Sequence, residues 1–169
     1  MTPEQLVQTT GLFYQSLIHP ALDDPTFLAD LDRFCQMRDN LDRGLALQLI
    51  EEVNWRDRLL GFAVAALLQD WSLSSAILET LQRRLTGMAI VPAGAWLVIQ
   101  HQRVPEASPA LILTRFDLTL FDGEVGWVLT RLQAVREGTF SVATEEAGPH
   151  SGQSFQDQLE LYESLCESA

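Results

Sequence analysis

The sequence predicts an all-α protein, either a helical-pair repeat (an α-solenoid) or an irregular helical bundle, with about eight or nine helices. Three observations favour this fold class. Helix-starting residues recur along the chain, apolar residues follow them at intervals of three or four, and the alternating pattern of strands is nearly absent. With 169 residues, 47% of them hydrophobic, the chain is long enough for one domain with its own core.

The first part of the domain, residues 1–53, is predicted to consist of acidic helices. Thr2 and Pro3 begin a helix whose apolar positions continue to Ile18, and Asp24 with Pro25 begins the second. A third helix is expected over about 41–53. Its buried apolar residues are predicted to be Leu45, Leu49, Ile50 and Val53.

The middle part, residues 54–138, is predicted to be a repeat-like core. Asn54 caps a helix whose segment 59–68 is apolar on every side, so neighbouring helices must enclose it. Further helices are expected to begin at Ser74 or Ser75, at Pro92, at Ser108 with Pro109, and at Asp122.

A faint internal repeat runs through this middle part. The pattern at Gly61–Val64 recurs 33 residues later at Gly94–Leu97, and the segment 94–102 is echoed 31 residues later by 125–133. Each unit is then a buried helix followed by an outer helix. The repeat predicts close helix contacts at Gly61, Gly94 and Gly126.

The last part, residues 139–169, is predicted to be a linker followed by an acidic C-terminal helix. Thr139–Thr144 is a weak strand candidate, and Gly148–Gly152 is expected to be a loop. Ser154 is the predicted cap of the final helix. Its apolar face is predicted to contain Phe155, Leu159, Tyr162 and Cys166.

The segment Asn54–Gly61 (NWRDRLLG) and the later Ala93–Trp96 (AGAW) together resemble a bacterial family of HEAT-like helical-repeat proteins of unknown function. Members of that family begin a helix with NWRxRLxG, and the resemblance covers roughly residues 41–132. It implies a HEAT-like fold and transfers no catalytic residues. Some similar small acidic proteins are immunity proteins encoded beside bacterial toxins, and the resemblance implies this function as an expectation.

Charge limits the classes of partner. The net charge is −12, and all eleven basic residues are arginine. Nucleic acid and anionic membranes are therefore predicted not to be partners, whereas a basic protein is suitable. Residues 1–53 include nine acidic and three basic residues, and residues 54–136 include seven acidic and eight basic residues. Residues 137–169 include seven acidic residues and no basic one. The acidic flanks serve either solubility or steering toward a cationic partner.

The sequence contains no recognisable catalytic, cofactor or metal motif. The three histidines are scattered, and neither a nucleophile elbow nor a phosphate-binding loop is present. Cys35 and Cys166 are expected to be free thiols in a reducing compartment, with Cys35 buried among apolar residues. The N-terminus has no signal-peptide pattern, so a cytoplasmic protein is expected. Because no binding motif is present, no cofactor or metal is expected.

Two sets of residues are candidates for binding. Arg56 and Arg58, beside Trp55, either stabilise the fold by bridging to a nearby carboxylate or clamp an anion at the helix N-terminus. The predicted partner-binding residues are Trp71, Glu79, Asp117, Asp122, Glu124, Glu145, Glu146, Asp157, Glu160 and Glu163.

These observations predict a non-catalytic protein-binding module, most concretely an immunity or inhibitor protein that blocks a bacterial toxin or effector. A structural adaptor or oligomerisation module is the alternative. An enzyme whose site assembles without a sequence motif is a third hypothesis. No feature of the sequence specifies an oligomeric state.

Overall fold

A computed structural model of the chain describes residues 1–11, 13–82, 88–107, 123–139 and 151–169. Within these ranges every regular element is helical and no strand occurs, which confirms the predicted all-α class. Three short 3₁₀ turns lie at Arg38–Asn40, Trp71–Leu73 and Pro105–Ala107. The α-helices are α1 (Pro3–Thr10), α2 (Phe13–Ser16), α3 (Pro25–Cys35), α4 (Arg43–Glu51), α5 (Trp55–Leu68), α6 (Ser74–Gln82), α7 (Ile90–Arg103), α8 (Gly123–Arg136) and α9 (Ser151–Glu167).

Side-chain caps set the start of four of these helices. Thr2 forms a capping box with Gln5 at the start of α1. Asp24 accepts a hydrogen bond from the Thr26 backbone N–H at 2.7 Å, and Asn54 accepts one from the Arg56 backbone N–H at 3.1 Å. These starts agree with the sequence predictions. Asp42 caps α4 in the same way.

The first predicted helix is interrupted. The chain leaves helical geometry at Gly11, which has a φ of +56°, and resumes as α2 at Phe13. Glycine adopts this backbone conformation without the steric penalty of a side chain. The apolar positions nevertheless remain on one side, since Leu6, Phe13 and Leu17 are all buried.

Three other boundaries differ from the predictions. Helix α4 ends at Glu51, so Val53 lies in the connection to α5 and is 84% exposed; its predicted burial is wrong. Helix α7 begins two residues before Pro92, which is compatible with the first turn because that turn needs no N–H donor there. Helix α9 begins at Ser151, one turn before Ser154, so Ser154 is not its cap and Ser151 and Gly152 are not loop.

Two helices form the centre of the core. Residues 58–67 of α5 and 90–100 of α7 are buried on every side, as the apolar run in the sequence requires for α5. Helix α4 packs on α5, and α6 packs on α7. Helices α8 and α9 also pack on α7. Helix α9 also contacts α5, so elements distant in sequence close around the centre.

Two of the three predicted glycine contacts are close approaches between helices. A Cβ atom on Gly61 would lie 2.9 Å from Ile50 Cγ1 and 3.0 Å from Leu49 Cβ, both on α4. A Cβ atom on Gly94 would overlap Val128 Cγ1 on α8 and lie 3.4 Å from Phe155 Cε2 on α9. Gly126 is half-buried in α8.

Several sequence predictions lie outside the described residues. They are the helix beginning at Ser108, the strand candidate beyond Thr139, and the part of the predicted 148–152 loop that precedes Ser151.

Candidate functional site

Helix α9 is held rigidly against the core. Its buried face consists of Phe155, Gln158, Leu159, Leu161, Tyr162, Leu165 and Cys166. Gln158 donates through Nε2 to the Leu17 carbonyl at 2.5 Å, which joins α9 to the end of α2. Gln69 donates through Nε2 to the Cys166 carbonyl at 2.9 Å. Apolar packing and these two amide hydrogen bonds therefore fix α9 relative to the rest of the protein.

The opposite side of α9 is acidic. Asp157, Glu160, Glu163 and Glu167 follow one another at spacings of three, three and four residues, which places their side chains on one face of the helix. Glu160, Glu163 and Glu167 are exposed and Asp157 is half-buried. At a rise of about 1.5 Å per residue, this acidic face of α9 is about 15 Å long.

Among the described residues, no basic side chain forms an ion pair with Glu160, Glu163 or Glu167. Helix α9 contains no basic residue. Glu160 accepts a hydrogen bond from Gln156 Nε2 at 2.7 Å. In the described portion of the chain, the two ion pairs are Arg33 with Asp30 and Arg43 with Asp70, neither of which involves α9.

The pKa of the Cys166 thiol reflects the charges near the C-terminal end of α9. Its pKa is raised to about 11, mainly by burial; the charge of Arg103 opposes this shift, and the charges of Glu163 and Glu167 add to it. Arg103, in the last turn of α7, is therefore a cation near this end of the acidic face. It forms no ion pair within 4.0 Å with a described carboxylate of α9.

The positions of Glu163 and Glu167 oppose helix stability. The C-terminal end of a helix carries partial negative charge, which disfavours an anion such as Glu167 in its last turn. Like charges four residues apart, as at Glu163 and Glu167, are also unfavourable by a few tenths of a kcal/mol. The C-terminal part of the acidic face is thus slightly unfavourable for the stability of α9.

Arginines near the start of α5 have structural roles. Arg58 is 2% exposed and donates through Nε to the Glu52 carbonyl at 2.6 Å and through Nη2 to the Val53 carbonyl at 2.8 Å. The guanidinium of Arg56 lies over the Trp55 ring, 4.3 Å from its centroid. These two bonds from Arg58 to backbone carbonyls anchor the α4–α5 connection.

The other predicted partner-binding residues are dispersed. Trp71 is half-buried, with its ring centroid 5.4 Å from that of Trp96. Glu79 is exposed on α6. The structure brings Asp157, Glu160 and Glu163 together on α9. The positions outside the described residues are Asp117, Asp122, Glu145 and Glu146, together with the side chain of Glu124.

Two surface clefts lie on the N-terminal helices. The first, of about 240 Å³, has Phe13, Phe34 and Met37 among its lining residues, with the Arg33–Asp30 ion pair. The second, the α1–α5 cleft, has a volume of about 390 Å³. It is lined by Pro3, Glu4, Val7, Gln8, Tyr14, Glu52, Asn54 and Asp57.

The described residues include no group of three or more metal-ligating side chains arranged to hold an ion. Cys35 and Cys166 are both free, as predicted, and Cys35 is half-buried. Burial raises the pKa of each thiol, so both are protonated near neutral pH and poorly nucleophilic. Over the same residues, no helix combines the length and apolar character needed to cross a bilayer.

Glu167 and the α1–α5 cleft were absent from the sequence predictions. Glu167 lies four residues after Glu163, a helical spacing that is visible in the sequence, so the sequence contained its signal. The cleft combines residues from α1, α2 and the start of α5, and no local pattern links them.

Comparison of the chain with protein-family models, with curated proteins and with solved structures found no match.

Proposed function

We propose that this protein is a non-catalytic, cytoplasmic binding module that presents the acidic face of α9 to a basic protein partner. Its most concrete form is an immunity or inhibitor protein that covers the working surface of a bacterial toxin or effector. The partner's lysines or arginines would meet Glu160, Glu163 and Glu167, with Asp157 at the edge of the contact.

One observation carries the proposal. The acidic face combines exposed carboxylates with a helix packed against the core, although two of them, Glu163 and Glu167, lie toward the negative end of that helix, where they oppose its stability. Solubility alone requires charge somewhere on the surface, but not at this unfavourable position. A fixed row of like charges gives a partner with the complementary charge both a fast approach and a defined orientation.

Site-specific photo-crosslinking tests the contact. Glu163 is replaced by p-benzoylphenylalanine in the source organism, with the same replacement at exposed Asp39 as the matched control. The proposal predicts that a basic protein is crosslinked from position 163 and not from position 39. Equal products from both positions, or none from 163, would contradict it.

The immunity form is tested by gene neighbourhood and growth. An adjacent gene for a toxin or secreted effector is expected, and its expression should arrest growth unless this protein is co-expressed. A variant with Glu160→Gln, Glu163→Gln and Glu167→Gln should protect less well than wild type at equal abundance. Binding of a partner without any effect on its activity would favour the structural adaptor instead.

A further inference from the structure

The α1–α5 cleft is a groove with an apolar interior and acidic walls. Val7 and Tyr14 are half-buried and pack against the core, so they supply apolar surface inside the groove. The groove can therefore contact an aliphatic chain as well as a charged group.

Three carboxylates line this groove, from Glu4, Glu52 and Asp57, and among the described residues that line it none is cationic. Burial raises the pKa of Asp57, and the charge of Glu52 raises it further. Two opposing contributions are weaker: a hydrogen bond from Asn54 and the charge of Arg56. The guanidinium of Arg56 lies over the Trp55 ring, outside the lining of the groove.

The same groove contains the side-chain amides of Gln8 and Asn54. A bound cation would relieve the repulsion between Glu52 and Asp57, and the amide oxygen of Gln8 is a further acceptor. Arginine fits this combination better than lysine. Its planar guanidinium carries five donors, pairs with carboxylates in a bidentate manner and stacks on aromatic rings such as that of Tyr14.

We propose that the α1–α5 cleft receives one arginine side chain of a protein partner, with its alkyl stem against Val7 and Tyr14 and its guanidinium between Glu52 and Asp57. This inference deepens the proposed function and rests on it for the identity of the partner as a basic protein. Charge complementarity selects the occupant, because the groove is acidic and the bound group must be long, cationic and partly apolar.

A small probe tests the cleft without the partner. The full chain, labelled with ¹⁵N, is titrated with N-acetyl-arginine amide and followed by amide chemical shifts. The neutral isostere N-acetyl-citrulline amide and the lysine analogue are titrated in parallel. We expect saturable shifts centred on residues 52–57, with a dissociation constant on the order of 1 mM. The citrulline probe should bind at least about tenfold more weakly, since it lacks the charge.

Two variants of the groove and one control variant of α9 test whether the binding is specific to the groove. Glu52→Gln with Asp57→Asn should weaken arginine binding by about tenfold or more, and Glu52→Gln alone should give a smaller loss. Glu160→Gln with Glu163→Gln, which removes equal charge from α9, should leave the titration unchanged. If Asp57→Asn disturbs the N-terminal turn of α5, the Glu52→Gln variant still tests whether arginine binding depends on the carboxylates of the groove.

Equal binding of arginine and citrulline probes, or arginine binding that persists in Glu52→Gln and in the double variant, would overturn the proposal. Tighter binding of the lysine probe would overturn the choice of arginine. Because the probe requires no partner, a failed titration leaves crosslinking from α9 unaffected. A successful titration with no crosslink from α9 would instead contradict the proposed function while retaining the cleft.

Discussion

Gly94 allows a single methyl group to test how the core is packed. In the Gly94→Ala variant the new Cβ would overlap Val128 Cγ1 and lie 3.3 Å from Val128 Cγ2. Valine in a helix has one strongly preferred rotamer, so Val128 cannot easily rotate away. Overpacking of this kind costs about 1–3 kcal/mol. Alanine recovers about 0.5–1 kcal/mol through its higher helix propensity. The net destabilisation expected is about 0.5–2 kcal/mol.

Thermal and urea unfolding of a double-mutant cycle measures this effect. For a domain of this size the expected loss corresponds to a fall in Tm of about 1–8 °C. In a Val128→Ala background the same Gly94→Ala change should be neutral or stabilising, because the overlapping methyl groups are gone. A coupling energy of about 1–3 kcal/mol is therefore expected. If Gly94→Ala has the same effect in both backgrounds, α7 and α8 are not in contact at this glycine.

Three further predictions concern α9 and the start of α5. Glu163→Gln with Glu167→Gln should stabilise the protein by about 0.5–1.5 kcal/mol in 0.15 M salt, since a dipole penalty and a like-charge pair are removed; a lower Tm would contradict this. Arg58→Ala should lower the free energy of unfolding in urea by about 1–3 kcal/mol, because two loop carbonyls lose their donors. Arg58→Lys should recover only part of this stability, and full recovery would argue against the paired hydrogen bonds. The pKa of Cys166 is raised from 9.0 to about 11, and burial also raises the pKa of Cys35 and that of Tyr162, so stability should fall as pH rises above 9.0. Cys166→Ala should reduce that fall in urea midpoints, and an unchanged slope would contradict the assignment.

Local signals explain why most helix starts were predictable. The caps at Asp24 and Asn54 depend on a side chain and a backbone N–H two residues later, so the sequence contains the whole interaction. The fully apolar run of α5 likewise specifies its central position without reference to a partner.

The predictions that failed depend on tertiary contacts. Val53 was expected inside because it follows the helical spacing of α4, but the chain must leave that helix to reach the cap at Asn54. The break at Gly11 is compatible with the same apolar pattern as an unbroken helix, since both bury Leu6 and Phe13. Periodicity alone does not distinguish these arrangements.

The candidate site was predictable only in part. Helical spacing and charge counts predicted an acidic C-terminal helix, and Glu160 and Glu163 were among its predicted partner-binding residues. The hydrogen bonds that fix this helix join Gln158 to Leu17 and Gln69 to Cys166, across most of the chain length. Contacts between residues so far apart in sequence leave no local pattern, so only the structure shows how α9 is fixed against the core.

The association rate of the crosslinked partner tests the role of the acidic face most directly. It is measured from roughly 0.05 to 0.5 M salt, a range over which the screening length shortens severalfold. Wild type is compared with the triple variant Glu160→Gln, Glu163→Gln and Glu167→Gln. The control removes the same charge elsewhere, through Asp23→Asn, Asp39→Asn and Glu106→Gln. We predict that wild-type association slows steeply with salt and that the triple variant is slower by about tenfold or more at low salt, with the control close to wild type. Association that is independent of salt, or equally slow in the control, would contradict the proposal that α9 is the binding surface.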